Sequence, residues 1–230
     1  MKKLLFLGLF SCTSLTAELS IEKLLQLIPV TRAEIEDAQK YLDNLEALEE
    51  MGWGGYHVIV QNLIKQFEVK AACEVGVSTG LNSYKILKNT LVEILYSVDP
   101  YTSYGDPTNV NLAQHTFDIM YYRLLEKLAE FGSRSKLLRM LSADAAPLIA
   151  DGALDFVFLD ANHTYTYVKT DLNLWYPKVK PGGVIAGDDY ATVHPGVPQA
   201  VDEFFAQLKL KVNQDTEQPR IWWVQKPATV

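Results

Sequence analysis

The chain has 230 residues, a hydrophobic fraction of 48% and a charged fraction of 21%, which are ordinary values for a globular protein with its own core. Its net charge of -7 and its lack of basic runs argue against a nucleic-acid partner. The two cysteines, Cys12 and Cys73, predict neither a disulfide framework nor a zinc site, and no apolar run is long enough to span a bilayer.

The N-terminal segment, residues 1–17, leaves two interpretations open. A charged start, Met1-Lys2-Lys3, precedes a short apolar run over residues 4–10, a pattern typical of an export signal that would end near Ala17. The position of Cys12 also gives a weak likeness to a lipoprotein anchor. The alternative is a hydrophobic helix that packs on the domain.

Residues 18–68 are predicted to form a helical extension before the main domain. Thr31 and Glu34 fit a capping box at the start of a helix. A second helix is predicted over residues 56–67. The apolar stripe predicted for the first helix comprises Ile35, Ala38, Leu42, Leu45 and Leu48.

From residue 69 to residue 230, predicted strands alternate with predicted helices in a single domain. This alternation is typical of an α/β fold with a mainly parallel, doubly wound sheet and helices on both faces. The predicted strands are 71–75, 94–98, 136–140, 154–159, 184–186 and 221–224, and the predicted helices are 82–88, 117–131, 165–178 and 198–208.

Three aspartates follow two of the predicted buried strands. Asp160 ends one apolar run, and Asp188 and Asp189 end the next. Ligands of open α/β sheets bind at the edge where such strand ends meet. Three carboxylates there repel one another unless a cation or a proton intervenes, and hard divalent ions prefer oxygen ligands. The alternative is that one of them, first of all Asp189, bonds local turn amides; Asp155 and Asp171 are interpreted as surface acids.

A glycine turn follows the first predicted strand. Gly76 and Gly80 allow a tight bend and close approach of the backbone to a ligand. Asp99 ends the second strand, where an acidic side chain can bind both hydroxyls of a ribose. The alternative for Asp99 is hydrogen bonding to local amides.

The glycine spacing bears on the kind of nucleoside. Ser78 stands where a dinucleotide-binding loop has its second glycine, and no phosphate-binding loop pattern is present. A ligand with a ribose and no phosphate fits better, and S-adenosylmethionine is the common ligand of this kind.

These motifs together resemble those of class I S-adenosylmethionine-dependent methyltransferases. The run EVGVSTGLNS at 74–83 is similar to their first motif, VDPY at 98–101 to their second, and KPGG at 180–183 to the turn before their fifth strand. The segment from 158 to 190 is similar to the metal-dependent small-molecule O-methyltransferase branch, whose members act on sugars and catechol-like phenols. The resemblance implies a Rossmann-like, seven-stranded sheet.

The resemblance also implies roles for the cofactor-site residues. Glu74, Gly76 and Gly80 would line the methionine part of S-adenosylmethionine, and Ser83 would cap the following helix nearby. Asp99 would hold the ribose. Two further residues, Ser142 and Asp144, would lie near the adenine.

For the catalytic end, the resemblance implies that Asp160, Asp188 and Asp189 bind a divalent cation, expected to be Mg²⁺. His163 is the candidate general base because histidine titrates in the useful range; the alternative is that it only orients Asp160. His194 follows the aspartate pair in a loop and either touches substrate or is merely solvated.

The resulting hypothesis is methyl transfer from S-adenosylmethionine to the hydroxyl of a small molecule, assisted by the cation and by a lid over residues 102–111. The alternatives are a metal-independent enzyme that uses His163, a non-catalytic nucleoside-binding module, and a nicotinamide-dependent oxidoreductase. Cofactor supply favours the cytoplasm, whereas an export signal favours the non-catalytic module. A homo-oligomer is compatible with the sequence.

Overall fold

The structure is a computed structural model that describes residues 20–51, 55–103, 112–191 and 193–228. Residues 1–17, interpreted as an export signal or a packed helix, and most of the predicted lid lie outside these ranges. So do Gly52 and Gly54, two of the glycines expected to end the first helix. No helix among the described residues combines the length and apolar character that a membrane crossing requires.

Three N-terminal helices pack on the domain: α1 (Ile21–Leu27), α2 (Arg32–Met51) and α3 (Gly55–Gln66). The capping box at the start of α2 is confirmed. The backbone N–H of Thr31 donates to Glu34 at 2.8 Å, and the N–H of Glu34 donates to the Thr31 hydroxyl at 3.3 Å. The predicted stripe is wrong at its end, because Leu48 is 53% exposed.

Seven strands form one sheet, as the resemblance implied. Their order across the sheet is β3-β2-β1-β4-β5-β7-β6. The first five pair in parallel, whereas β7 runs antiparallel to both β5 and β6. The strands are β1 (Ala71–Val75), β2 (Ile94–Asp99), β3 (Ser135–Arg139), β4 (Leu154–Leu159), β5 (Val179–Gly187), β6 (Asn213–Gln214) and β7 (Trp222–Gln225).

Five more helices connect the strands and cover both faces of the sheet. They are α4 (Leu81–Asn89), α5 (Gln114–Leu128), α6 (Ser142–Ala145), α7 (Tyr165–Trp175) and α8 (Gly196–Gln207). Because side chains alternate along a strand, neighbouring residues of β4 face opposite layers. Phe156 and Phe158 pack with α1–α5, whereas Val157 and Leu159 pack with α7 and α8.

One expectation about the strands needs correction, and one strand was not predicted. Residues 180–183 do not form a turn before the fifth strand, because β5 already begins at Val179 and passes through them with a register shift against β4. The short strand β6 has only two residues, Asn213 and Gln214, and carries no apolar run that could have predicted it.

Asp155 was wrongly interpreted as a surface acid. Its Oδ2 accepts hydrogen bonds from the backbone N–H groups of Lys70 and Ala71, both at 2.7 Å, and its Oδ1 pairs with Lys180. Asp155 therefore ties the start of β1 to the start of β4, which fixes the two strands that end at the site.

Candidate active site

The ends of β1 and β4 touch, and glycine makes this contact possible. Gly76 has a φ of +86°, and a Cβ atom there would lie 2.0 Å from the carbonyl oxygen of Asp160. The N–H of Asp160 donates to the Val75 carbonyl at 2.8 Å. The glycine turn and the first aspartate are therefore direct neighbours, and any larger residue at 76 would separate them.

The turn ends at Gly80, which has a φ of +78° and precedes the first residue of α4. A Cβ atom at this position would lie 2.1 Å from a methyl carbon of Leu124, a buried residue of α5. Both glycines of the predicted motif are thus required by positive φ angles and by close packing.

Asp99 holds the glycine turn from the neighbouring strand. Its Oδ2 accepts from the N–H groups of Val77 at 2.9 Å and Ser78 at 3.2 Å, and its Oδ1 accepts from Tyr101 at 2.8 Å. The alternative role, bonding of local amides, is therefore present. Since a carboxylate offers about four lone-pair sites, capacity remains for a ribose hydroxyl, and that role stays a prediction.

Glu74 is buried at the end of β1 and is held by the first turn of α4. Its Oε1 accepts from the Asn82 amide at 3.0 Å, and its Oε2 accepts from the Ser83 hydroxyl. Burial raises the pKa of Glu74 to about 7, against the hydrogen bonds from Ser83 and Asn82. The prediction that Ser83 caps α4 is wrong: Gly80 is the N-cap, and Ser83 lies inside the helix.

The N-terminal helices contribute two residues that the sequence did not reveal. Glu49 of α2 accepts hydrogen bonds from the hydroxyls of Thr79 and, at 3.4 Å, Ser78 in the glycine turn. Tyr56 of α3 stacks on Phe158 with ring centroids 6.2 Å apart. Burial raises the pKa of the Tyr56 hydroxyl well above its usual range, and nearby carboxylates, above all Asp160, add to this effect.

The predicted adenine residues follow β3 and behave differently from each other. The Ser142 hydroxyl donates to Asp171 at 2.5 Å and accepts from the Trp175 indole at 2.8 Å, so it anchors α6 to α7. Asp144 is exposed on α6. The interpretation of Asp171 as a surface acid is wrong, since it is 7% exposed and burial raises its pKa to about 6.

A stability measurement tests this buried acid. Because the folded pKa of Asp171 lies above its usual value of 3.8, the folded state binds the proton more tightly. The contribution of Asp171 to the free energy of unfolding should therefore fall by up to about 3 kcal/mol as the pH rises from 4 to 7. Asp171→Asn should remove this loss and unfold at higher denaturant concentration than the wild type at pH 8.

Asp144→Asn is the matched control, because it changes an exposed acid on the neighbouring helix and should leave the denaturation midpoint unchanged. A clear loss of stability in Asp171→Asn at pH 8 would contradict the raised pKa of the buried Asp171.

The acidic pair after β5 is held by an arginine that the sequence did not point to. The Nε of Arg220 donates to Asp188 Oδ1 at 2.5 Å, and its Nη2 donates to Asp188 Oδ2 at 2.7 Å and to Asp189 Oδ1 at 2.9 Å. Asp188 also accepts from the N–H of Asp189 at 2.6 Å. Asp188 is 3% exposed, and burial raises its pKa to about 6 against the Arg220 hydrogen bonds.

Asp160 faces the same cluster from β4. Burial and the carboxylates of Asp188 and Asp189 raise the pKa of Asp160 well above its usual range. A small cavity borders Asp160, His163 and Asp188 and extends beneath them towards α7 and α8. The predicted meeting of the three acidic strand ends is therefore present.

Two histidines complete the cluster. His163 Nε2 lies 2.8 Å from Asp189 Oδ2, and His194 Nε2 lies 3.8 Å from Asp189 Oδ1. Their ring centroids are 4.4 Å apart. Burial alone would raise the pKa of Asp189. The hydrogen bond from His163 and the positive charge of Arg220 outweigh burial, so this pKa lies below its usual value. His163 contacts Asp189, whereas the expected alternative was orientation of Asp160.

The predicted magnesium ligands do not fit such an ion in this arrangement. Arg220 occupies both oxygens of Asp188 and one of Asp189, and His163 occupies the other oxygen of Asp189. The set whose ligand atoms converge within 4.8 Å among the described residues is His163, Asp189 and His194. Two nitrogen donors suit a transition metal better than Mg²⁺.

Comparison with known protein families identifies one that matches the part of the chain carrying these motifs. Residues 73–190, about half of the chain, match the family described as "Methyltransferase domain". The chain belongs to this methyltransferase family. The resemblance to class I S-adenosylmethionine-dependent methyltransferases, drawn from the motifs at 74–83 and 98–101, is confirmed.

Individual proteins are similar to this methyltransferase in sequence or in fold. An uncharacterised protein of Acanthamoeba polyphaga mimivirus is 28% identical over 159 residues, which are 66% of this chain and 67% of the relative. A Staphylococcus aureus protein described as a candidate caffeoyl-CoA O-methyltransferase superposes with a TM-score of 0.59 at 15% identity, covering 81% of this chain and 98% of that one. An O-methyltransferase from Bacillus cereus, solved in complex with SAH, gives 0.56 at 12% identity, covering 89% and 96%.

Proposed function

We propose that this methyltransferase transfers the methyl group of S-adenosylmethionine to a hydroxyl of a small molecule. The observation that carries the proposal is the contact between the glycine turn and the acidic cluster. The Asp160 N–H donates to Val75 at 2.8 Å, and its carbonyl lies against Gly76. A cofactor on the turn would therefore hold its methyl group beside Asp160 and His163.

The charges around the turn suit this cofactor. Glu49, Glu74 and Asp99 surround the turn with buried or half-buried acids. S-adenosylmethionine carries a positive sulfonium and an ammonium, whereas the pyrophosphate of a dinucleotide is negative and would be repelled. When bound, S-adenosylmethionine supplies an electrophilic methyl carbon, and the chain has only to hold it and present the acceptor in line.

Specific residues would hold the parts of the cofactor. Asp99 would accept hydrogen bonds from the ribose, and Glu74 would face the methionine part near Gly76 and Gly80. For the adenine, the exposed Asp144 of α6 is a better partner than Ser142, whose hydroxyl is engaged with α7.

His163 is the group that would take the proton of the acceptor hydroxyl. The 2.8 Å contact between His163 Nε2 and Asp189 Oδ2 places the proton of a neutral imidazole on Nε2 and orients the ring. A carboxylate in this place fixes the tautomer and stabilises the imidazolium that forms, as it does in other acid–histidine pairs. Asp189 would therefore act as a positioning residue, and His163 as the general base.

The requirement for a divalent cation, predicted from the three carboxylates, is less well supported than methyl transfer itself. Arg220 favours the second candidate, a metal-independent enzyme that uses His163, because its guanidinium already pairs with both Asp188 and Asp189. No step of the proposed chemistry depends on an ion.

An acceptor screen tests the proposed function. Purified full-length protein and methyl-labelled S-adenosylmethionine are incubated with panels of sugars, phenols, catechols, carboxylic acids and amines. Labelled methyl ethers should form in the hydroxyl panels. Label found only in esters or amine products would contradict O-methylation of a hydroxyl, and absence of product from every panel would count against catalysis.

A further inference from the structure

We infer that Arg220 is the built-in cation of the acidic cluster, so that the cluster is complete without a divalent ion and becomes an ion site only when this arginine is removed. The inference concerns the residues after β4 and β5, where a metal was predicted. The test by enzyme activity rests on the proposed methyl transfer, whereas the test by ion binding does not.

The hydrogen bonds of the aspartate pair carry this inference. Each of the four carboxylate oxygens of Asp188 and Asp189 has a partner within 2.9 Å in the chain itself. Arg220 supplies three of these bonds, two of them to Asp188 in the fork geometry that a planar guanidinium provides. An incoming ion would have to displace a bidentate pair in which the Asp188 side chain is 1% exposed.

The backbone holds Arg220 in this position. The carbonyl of Arg220 accepts a hydrogen bond from the N–H of Tyr190 at 2.9 Å, directly after the aspartate pair. The connection between β6 and β7 that carries Arg220 is tied by a bond from the Gln214 amide to the Pro219 carbonyl at 2.8 Å. These two bonds hold the backbone that carries Arg220, so contact with the aspartates has to order only the arginine side chain.

The position of the charge also matters for catalysis. His163 bonds to the same Asp189 that Arg220 contacts, on the other carboxylate oxygen. A fixed positive charge on this pair offsets part of the repulsion among the acids, and it leaves an imidazole beside the cavity at Asp160. Arg220 is thus a positioning residue for the base, acting through Asp189.

Ion binding tests the inference without any substrate. Mn²⁺ is titrated into full-length wild-type protein and into Arg220→Met, with the free ion followed by electron paramagnetic resonance. We expect the wild type to bind with a Kd above about 1 mM, and Arg220→Met to bind at least about tenfold more tightly because oxygens of Asp188 and Asp189 are released. Arg220→Lys keeps the charge but not the fork, so its affinity for Mn²⁺ should lie between those of the wild type and Arg220→Met.

Arg123→Met is the matched control. Arg123 also contacts two carboxylates, Asp43 at 2.8 Å and Glu46 at 3.7 Å, but on α2 rather than at the cluster. This variant should bind Mn²⁺ no better than the wild type. A gain equal to that of Arg220→Met would show a nonspecific effect of net charge and would overturn the inference.

Wild-type results decide the matter even if Arg220→Met does not fold. A wild-type Kd for Mn²⁺ below about 1 mM would overturn the inference, and a Kd above that value supports it. Turnover should change less than about twofold in EDTA, whereas a loss of more than about tenfold that Mg²⁺ restores would also overturn it. Failure of methyl transfer would appear in the acceptor screen and would leave the Mn²⁺ titration unaffected.

Discussion

Asp99→Ala should lower the affinity for S-adenosylmethionine at least about 100-fold, since two hydrogen bonds to a charged acceptor contribute about 3 kcal/mol or more together. The substitution removes the proposed ribose contact. It also releases the N–H groups of Val77 and Ser78, which Asp99 holds at 2.9 and 3.2 Å, so the glycine turn loses its fixed shape. Isothermal titration of the purified variant measures the effect directly.

The matched control for this experiment is Asp144→Ala. Asp144 is exposed on α6, and its proposed contact is a single bond to the adenine amino group, so the expected loss is about tenfold. Unchanged affinity in Asp99→Ala would remove Asp99 from the cofactor site. If Asp144→Ala lowered the affinity as much as Asp99→Ala, the proposed larger contribution of Asp99 to cofactor binding would be wrong.

His163→Ala should reduce kcat by about 10²–10⁴ while KM stays within a few-fold, because a general base acts on the transition state rather than on ground-state binding. The imidazole lies 2.8 Å from Asp189, which fixes its orientation. Initial rates are measured with the best acceptor of the screen, after thermal melting has shown that the variant is folded.

His194→Ala is the corresponding control in the same cluster. His194 lies 3.8 Å from Asp189, beyond hydrogen-bond distance, and its ring centroid is 4.4 Å from that of His163. We expect its kcat to fall less than about tenfold. A normal rate in His163→Ala, or an equal loss in both variants, would leave His163 with a structural role.

The fold could be predicted because its signals are local. Apolar runs and turn residues place β1 and β4 at their observed bounds, and the capping box at Thr31 places the start of α2. The acidic strand ends meet because parallel strands deliver their carboxyl ends to one edge of a sheet. This rule needs only the order of the strands, which the alternation along the chain supplies.

The partners of the site residues could not be predicted, because they depend on long-range contacts. Arg220 lies 31 residues after Asp189 and reaches it only because β7 returns antiparallel beside β5. Glu49 lies 30 residues before Thr79 and reaches it because α2 packs over the turn. A single sequence carries no pattern that links either pair.

The misplaced role of Ser83 has a similar cause. A serine near the start of a helix is a common N-cap, but here the left-handed Gly80 is the N-cap and the helix starts at the next residue. The buried carboxylate of Glu74 then provides the acceptor for the Ser83 hydroxyl. The requirement of a buried charge for a hydrogen-bond donor outweighs the capping preference at this position.

The most direct measurement is a calorimetric titration of the full-length wild-type protein with S-adenosylmethionine and, separately, with NAD. Saturable binding of S-adenosylmethionine at one site per chain, with no heat from NAD, is the predicted result. Binding of NAD in place of S-adenosylmethionine, or of neither nucleoside, would contradict a cofactor site at the glycine turn beside the acidic cluster.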